Sequence, residues 1–140
     1  MAEFDVEGEA VASPFGVSSD GGARVVRAQA KTVLLGSASR FLGPGVVQLL
    51  HAVDASGSVK SACATIGLSY TKGWRLIHTL ENELGFVCVT RQQGGVGGGR
   101  ASLTPECRTL LHRFARFSHE VDAAVDVLFA KHFPEFGSPS

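Results

Sequence analysis

The sequence lacks the marks of a membrane, secreted or zinc-ribbon protein. No apolar run approaches the roughly 18 residues of a membrane-spanning helix, and the acidic start MAEFDVEGE has none of the basic-then-apolar order of a secretory signal. The three cysteines are an odd number at wide spacings without a CxxC pair, which disfavours a disulfide framework or a zinc site. We therefore expect a cytoplasmic protein with buried free thiols and no membrane contact.

The sequence also has little that would serve an enzyme. The stretch GGVGGGR is not a phosphate-binding P-loop, because no GK[ST] follows it and it leads toward a strand. A GxSxG nucleophile elbow and an HExxH zinc motif are both missing. His112 and His119 would share a helix face, but a solvated histidine is the commoner outcome there. We expect no catalytic residues, no metal and no cofactor.

Net charge is missing as well, with 13 basic and 13 acidic residues. The zero conceals a pattern, since residues 1–22 carry five acids and no base, and residues 118–140 carry four acids and one base. Between them, residues 23–59 carry four bases and one acid, and residues 60–117 carry eight bases and three acids. Charge blocks matter more than the total for predicting partners. The neutral sum therefore does not exclude nucleic acid as the partner of the basic middle.

The amino-terminal part predicts a tail followed by a small hairpin. Residues 1–22 mix acids with Gly, Ser and Pro and show no sustained period, so we expect a flexible acidic tail. Apolar and polar side chains alternate over residues 24–34, which predicts a half-buried strand. Gly36-Ser37 is placed to turn the chain into a short second strand at Arg40–Leu42.

Glycines and capping serines divide the next segment into three predicted helices. Pro44 suits a first helical turn, and Gly57 ends the helix that follows. Ser58 and Ser69 are good N-caps for two further helices, each of which ends before a glycine. These helices span about Val59–Ile66 and Tyr70–Leu84, with Cys63, Ile66, Trp74, Ile77, Leu80 and Leu84 facing inward. Two short helices joined by a glycine-containing turn are typical of a helix-turn-helix.

A hairpin and a long helix complete the predicted fold. The pattern predicts a strand at Phe86–Arg91, a loop with five glycines in six residues, and a returning strand at Arg100–Leu103. Such a hairpin with a long tip is typical of a wing. Thr104 then caps and Pro105 opens a last helix that reaches about His132. The predicted fold is mainly α with a small β part: a winged helix-turn-helix with an N-terminal strand or hairpin and a long C-terminal dimerisation helix.

The last helix carries a regular apolar seam that starts at Cys107 and recurs at alternating intervals of three and four residues. That spacing is a heptad pattern suited to helix–helix packing. One interpretation is that the whole seam packs on the chain's own core. The other is that the part beyond about Phe117 extends past the core and joins two copies as a homodimer. The predicted dimer interface is Leu110, Phe114, Phe117, Val121, Ala124 and Leu128.

Two stretches, GSVKSACATIGLSYTKGW and LENELGFVCVTRQQGGVGGGRASLTPE, carry a family resemblance. They resemble the N-terminal DNA-binding domain of ModE-type molybdate-responsive regulators, which belong with the LysR-like winged helices. The resemblance covers about residues 24–118. Its motifs occur in order: LGPG at 42–45, Ser69-Tyr70 with Trp74, the wing glycines at 94–95 and 97–99, and the run Leu103–Arg108.

This sequence departs from the family pattern at a few places. Cys107 stands where the pattern has Gly, Arg100 replaces a wing glycine and adds a cation, and Gly73 is a poor helix former of the kind found at close approaches. Full-length members carry molybdate-binding domains after the long helix, whereas this sequence ends at Ser140. We expect the DNA-binding domain to stand alone, and molybdate sensing is not carried over.

The resemblance implies sequence-specific binding of double-stranded DNA by a dimeric transcriptional regulator. The third helix, about residues 69–84, would enter the major groove, and the wing, residues 91–100, would meet the backbone or the minor groove. Thr71, Lys72 and Arg75 are the candidates for reading bases, with a phosphate contact as the alternative for Lys72. The full set of candidate DNA contacts is Ser58, Lys60, Ser69, Tyr70, Thr71, Lys72, Arg75, Arg91, Gln92, Gln93 and Arg100.

The predicted organisation has four parts: an acidic tail at 1–22, the winged helix-turn-helix at 23–118, the end of the dimerisation helix at 119–133 and a disordered tail at 134–140. Two other functions stay open. The winged helix would serve as a protein-interaction adaptor, or as a sensor that takes a ligand or redox signal near Cys107 or the histidines. The effector, the operator and the sign of regulation are unknown.

Overall fold

The computed structural model describes residues 14–15, 25–37, 39–92 and 99–136. Most of the predicted acidic tail, Gln93, the wing glycines at 94–98 and the last four residues lie outside the described residues. The expectations for those parts stay predictions.

The described residues form four α-helices and two separate antiparallel hairpins. None of these helices is both long and apolar enough to cross a membrane. The predicted mainly α fold with a small β part is confirmed. The elements are β1 (Leu34–Leu35), β2 (Arg40–Leu42), α1 (Pro44–Ser56), α2 (Val59–Ile66), α3 (Tyr70–Leu84), β3 (Val89–Gln92), β4 (Arg100–Leu103), α4 (Pro105–His132) and a short 3-10 helix (Pro134–Phe136).

Local chemistry sets the ends of the first three helices where the sequence predicts them. Ser58 Oγ accepts a hydrogen bond from the N–H of Ser61, and Ser69 Oγ accepts one from the N–H of Lys72, both at 3.1 Å. Each cap satisfies a backbone donor that has no partner within its own helix. Each of the three helices ends at a glycine with positive φ, a conformation that glycine adopts without strain: Gly57, Gly67 and Gly85.

The helix-turn-helix is tightest where α3 crosses α2. Gly73 of α3 is buried, and a Cβ added to it would overlap Sγ of Cys63 on α2. Glycine inside a helix costs about 1 kcal/mol relative to alanine. Here that cost is offset because the two helices approach more closely than any side chain at position 73 would allow. The close approach expected at Gly73 is confirmed.

The wing hairpin is regular but starts later than predicted. Its strands pair Val89 with Leu103 at the base and Gln92 with Arg100 at the last described rung. β3 begins at Val89 rather than Phe86, because the N–H groups of Cys88 and Val89 donate to the Glu81 carboxylate of α3, at 2.8 and 3.2 Å. The start of the strand is therefore fixed by α3.

The strand predicted over residues 24–34 is wrong for most of its length. Pairing is confined to Leu34–Leu35, which faces β2 across the predicted turn. Side-chain exposure does alternate over residues 25–32. However, β2 is only 3 residues long and α1 begins almost directly after it, so among the described residues there is no second backbone for residues 25–33 to pair with. Alternation predicted the exposure pattern but not the hydrogen bonding.

One apolar core joins the three short helices to the wing and to the first half of α4. The larger compact unit spans residues 30–121, and the described residues 14–15, 25–29 and 122–136 belong to a second unit. The buried residues of the core are Leu42, Leu49, Leu50, Val53, Val59, Ala62, Cys63, Ile77, Leu80, Cys88, Val89, Ala101, Leu103, Cys107, Leu111 and Phe114.

Candidate nucleic-acid interface

α3 presents one continuous face to solvent, opposite its buried side. Residues three or four apart lie on the same side of a helix. The face contains one arginine and no carboxylate. We call it the α3 stripe; its members, which line a shallow open depression, are Tyr70, Thr71, Trp74, Arg75, His78, Thr79 and Asn82.

Trp74 lies only partly in the core in which the sequence predicts it. It is half-buried, with its indole between the rings of Tyr70 and His78, at centroid distances of 6.5 and 5.2 Å. The position beside it, Gly73, takes the innermost place against α2, so the large indole lies at the edge of the core. Part of the indole packs on that core and part belongs to the α3 stripe.

Arg91 joins the wing to the α3 stripe. Its guanidinium carbon lies 5.4 Å from the centroid of the Trp74 ring, within cation–π range. In the hairpin register Arg91 stands opposite the buried Ala101, and therefore on the face that the wing turns toward the core. Arg91 consequently contacts α3 from the wing, and Gln92 projects from the other face of the strand.

Arg100 lies at the junction between α1 and α2. A Cβ at Gly57 would be 3.0 Å from the guanidinium carbon of Arg100, and the Ala101 N–H donates to the Gly57 carbonyl at 2.9 Å. Ser58 and Lys60 follow directly in the chain. Three of the candidate DNA contacts, on β4 and at the start of α2, are thus brought to one end of the helix-turn-helix.

The acidic residues of α3 lie off the stripe and are bound to other elements. Glu81 holds the start of β3, as described above. Glu83 accepts hydrogen bonds from the N–H and the hydroxyl of Ser37, at 3.2 and 3.4 Å, and lies against Gly36 in the first hairpin. Both carboxylates therefore position neighbours of α3 and leave its outer face uniformly non-acidic.

Cations near the stripe have no carboxylate partner within the described residues. There the one ion pair joins Arg108 of α4 to Asp54 of α1 through two hydrogen bonds, at 2.7 and 3.0 Å. The Arg108 hydrogen bonds hold the pKa of Asp54 below its ordinary value. The exposed cations left for another partner are Lys60, Lys72, Arg75, Arg91 and Arg100.

The structure separates Lys72 from Thr71 and Arg75, although sequence grouped them as base readers. Lys72 lies on the flank of α3 that faces β2 and the start of α1. Ser69 is occupied as the N-cap, and Gln93 lies outside the described residues.

Sequence reasoning missed His78 and Asn82, which extend the stripe along α3. The spacing of Thr71, Arg75, His78 and Asn82, four, three and four residues apart, was the available signal. The apolar residues alone do not reveal this face, because they mark only the buried side of the helix.

The two halves of α4 differ in exposure. Leu111 and Phe114 are both 7% exposed, so Phe114 is held in the chain's own core. Leu110 is half-buried, and its neighbour Leu111 takes the buried position in that turn of the helix. Farther along, Phe117 and Leu128 are 49% and 51% exposed. Val121 is half-buried and Ala124 is exposed. Val127, outside the predicted seam, is 69% exposed.

The three cysteines are buried free thiols, as predicted. Burial raises the pKa of Cys63. A hydrogen bond with Cys107, together with burial, raises the pKa of Cys88. Within the described part of the chain, no group of three or more Cys, His, Asp or Glu side chains is arranged to hold a metal ion.

Comparison with known proteins supports the resemblance. No model of a known protein family matches the chain. The chain is 35% identical over 82 residues to the molybdenum-pterin-binding protein MopB of Rhodobacter capsulatus, covering 59% of this chain and 30% of that protein. It is 31% identical over 88 residues to the DNA-binding transcriptional dual regulator ModE of Escherichia coli K12, covering 63% and 34%. The predicted resemblance to ModE-type regulators is confirmed.

These matches have a limited extent. The molybdenum transport protein ModE of Azotobacter vinelandii is 32% identical over 82 residues, 59% of this chain and 30% of that protein. The chain thus matches about a third of the length of its curated relatives. Among solved structures, the DNA-binding domain in the CbnR_DBD–DNA complex aligns with a TM-score of 0.48 and 22% identity, over 63% of this chain and 95% of that one.

Proposed function

We propose that this protein is a sequence-specific, double-stranded-DNA-binding transcriptional regulator. The observation that carries the proposal is the carboxylate-free α3 stripe, flanked by a wing whose cations have no acidic partner within the described residues. The major groove of B-DNA admits an α-helix, and phosphates attract such cations. The proposal also draws on relatives whose names describe DNA-binding regulators. A regulator of this kind would act in the cytoplasm, beside the DNA.

The stripe and its neighbours would take different roles on DNA. Arg75, with Thr71, would read base edges, since arginine bonds guanine through two hydrogen bonds. Lys60, Ser58 and Arg100, gathered at the start of α2, suit phosphate contacts that position the protein without reading sequence. Wing residues 91–100 would follow the backbone or the minor groove.

Dimerisation belongs to the same proposal. The exposed apolar side chains Phe117 and Leu128, with Val121 and Ala124 between them, would pair along the distal half of α4. Phe114 is left out of the interface because it is already buried. In this proposal residues 23–118 form the DNA-binding part and residues 119–133 form the end of the dimerisation helix. Two copies would bind half-sites about one helical turn apart or a multiple of that.

The decisive experiment is selection of bound sequences from random duplex DNA, followed by titration of the selected and a scrambled duplex at two salt concentrations. We expect a two-fold symmetric site and affinity that falls steeply with salt, because phosphate binding releases counterions. Arg75→Ala should weaken the selected duplex by about 1–3 kcal/mol, which is the effect of losing a bidentate base contact.

Arg113→Ala, on the exposed surface of α4, is the matched control and should bind as the wild type does. If Arg75→Ala binds the selected duplex as tightly as the wild type does, Arg75 does not read bases. A flat salt dependence with no selected sequence would overturn DNA binding and favour the protein-interaction adaptor.

A further inference from the structure

A second surface feature lies on the flank of α3 that the proposed DNA interface does not use. It is a groove of about 360 Å³ between α3, the start of α1, β2 and the turn after α2. That volume falls within the range of roughly 300–1,000 Å³ that is typical of small-molecule sites. All of its lining residues belong to the compact unit of residues 30–121.

The floor of the groove is apolar. Five hydrophobic side chains, one each from β2, α1, α2, the turn after α2 and α3, line it, and each is half-buried and packed against the core from one side: Phe41, Val46, Ile66, Leu68 and Leu76. Their remaining surface faces the groove, where covering it would be favourable by about 25 cal/mol per Å². The floor therefore suits an apolar body.

Its charge has one sign. Lys31, Arg40 and Lys72 line the groove, all three are exposed, and no aspartate or glutamate is among the lining residues. None of the three has a carboxylate partner within the described part of the chain. The first turn of α1 lines the same groove and adds positive potential of the same sign.

We propose that this groove binds a small amphipathic organic anion, an aromatic or branched aliphatic carboxylate, and so forms an effector site beside α3. Its apolar body would cover the floor and its carboxylate would face Lys31 and Arg40. DNA phosphates would satisfy the cations but leave the floor uncovered, and an uncharged apolar molecule would leave the cations unused. Thr79 lines both the groove and the α3 stripe, so an occupant contacts the helix that carries the proposed DNA face.

The test uses the full chain without DNA, so its outcome is separate from that of the proposed function. Naphthalene-2-carboxylate and 4-methylpentanoate are the probes, and naphthalene-2-carboxamide is the neutral match of the first. Binding is followed by amide NMR titration. We expect saturable binding of a carboxylate with shifts in the first turn of α1 and around Leu76, and roughly tenfold weaker binding of the carboxamide, as loss of a charge-assisted contact implies.

Two variants separate the charge from the cavity. Arg40→Gln should weaken the binding of the carboxylate and leave the binding of the carboxamide unchanged. Gly45→Leu should weaken the binding of both, because Gly45 lines the groove and a Cβ there meets nothing within 4 Å, so a leucine would occupy part of the groove without backbone strain. Arg113→Gln, outside the groove, should change neither.

Several results would overturn the proposal. These are no saturable binding of either carboxylate, equal binding of naphthalene-2-carboxylate and its amide, or NMR shifts confined to the α3 stripe. A loss of DNA affinity in Arg40→Gln with unchanged carboxylate binding would also overturn it, because the cations would then serve the DNA backbone.

Discussion

The two sides of α3 differ in what they contact, and so in what a substitution on each side would change. The inner side packs on the core, with Ile77 and Leu80 wholly buried and Gly73 against Cys63. The outer side, the α3 stripe, faces solvent and touches the wing through Arg91. The position of the helix is thus set from within, and its outer charge is left for a partner.

The acidic residues of α3 lie on the edges between these two sides, and each holds a neighbouring element through hydrogen bonds. Glu81 bonds two N–H groups at the start of β3, and Glu83 bonds Ser37 in the first hairpin. Stability is expected to decrease with substitutions on the inner side and edges, whereas partner binding is expected to decrease with substitutions on the stripe. Three substitutions, ordered by expected effect, test that division.

Gly73→Ala should destabilise the fold by about 1–3 kcal/mol, the usual cost of overpacking a well-filled core. The new Cβ would overlap Cys63 Sγ, and this cost outweighs the gain in helix propensity, about 1 kcal/mol. Chemical denaturation measures the difference in the free energy of unfolding.

Two controls sharpen this measurement. Gly45→Ala, also in a helix, has nothing within 4 Å of the new Cβ and should be neutral or slightly stabilising. Adding Cys63→Ala to Gly73→Ala should recover part of the loss, because it removes the overlapping sulfur. Wild-type stability of Gly73→Ala alone would show that relieving the overlap costs no more than the gain in helix propensity, about 1 kcal/mol, and would contradict a tightly packed inner side.

Elements that depend on neighbouring residues in the chain were predictable from the sequence. The bounds of α2 and α3 follow from Ser58, Ser69 and the glycines at 67 and 85, whose effects are confined to one turn of helix. The first hairpin turn and the start of α4 at Pro105 follow for the same reason.

Features that depend on distant contacts were not predictable. Trp74 looked like core from periodicity alone, since nothing local shows that Gly73 takes the inner place. Lys72 and Arg75 are both cations of the same helix, yet they face different surfaces. The missing strand over residues 25–33 shows that alternation specifies which side chains are covered, whereas pairing needs a second backbone.

Glu81→Gln tests the edge of the helix. The carboxylate oxygen Oε2 accepts from both Cys88 and Val89 N–H groups, and a glutamine keeps one acceptor oxygen but turns the other into a donor. We expect a loss of about 1–2 kcal/mol in the free energy of unfolding, because the neutral amide oxygen would accept the two N–H groups less strongly than the carboxylate does. Glu83→Gln, whose bonds to Ser37 are exposed, is the matched control and should stay within about 0.5 kcal/mol of wild type. Equal losses in both variants would show that burial does not distinguish the two acids.

Arg91→Ala addresses the contact between wing and stripe, where the smallest loss of stability is expected, about 0.5–1 kcal/mol for a cation–π pair at a partly exposed site. The chain has one tryptophan, so its tryptophan fluorescence reports on the surroundings of Trp74, which include this contact. We expect the Trp74 emission to shift to longer wavelength in Arg91→Ala as water replaces the guanidinium, and to shift less in Arg91→Lys.

Affinity for the selected DNA separates two roles of Arg91. If it only binds phosphate, Arg91→Lys should bind DNA as the wild type does, since lysine keeps the charge. If it also positions the wing, Arg91→Lys should weaken binding together with the change in Trp74 emission, because the guanidinium plane that lies over the indole is lost. Unchanged emission in both variants would mean that wing and stripe are independent, and the outer side of α3 would then have to be treated as two surfaces.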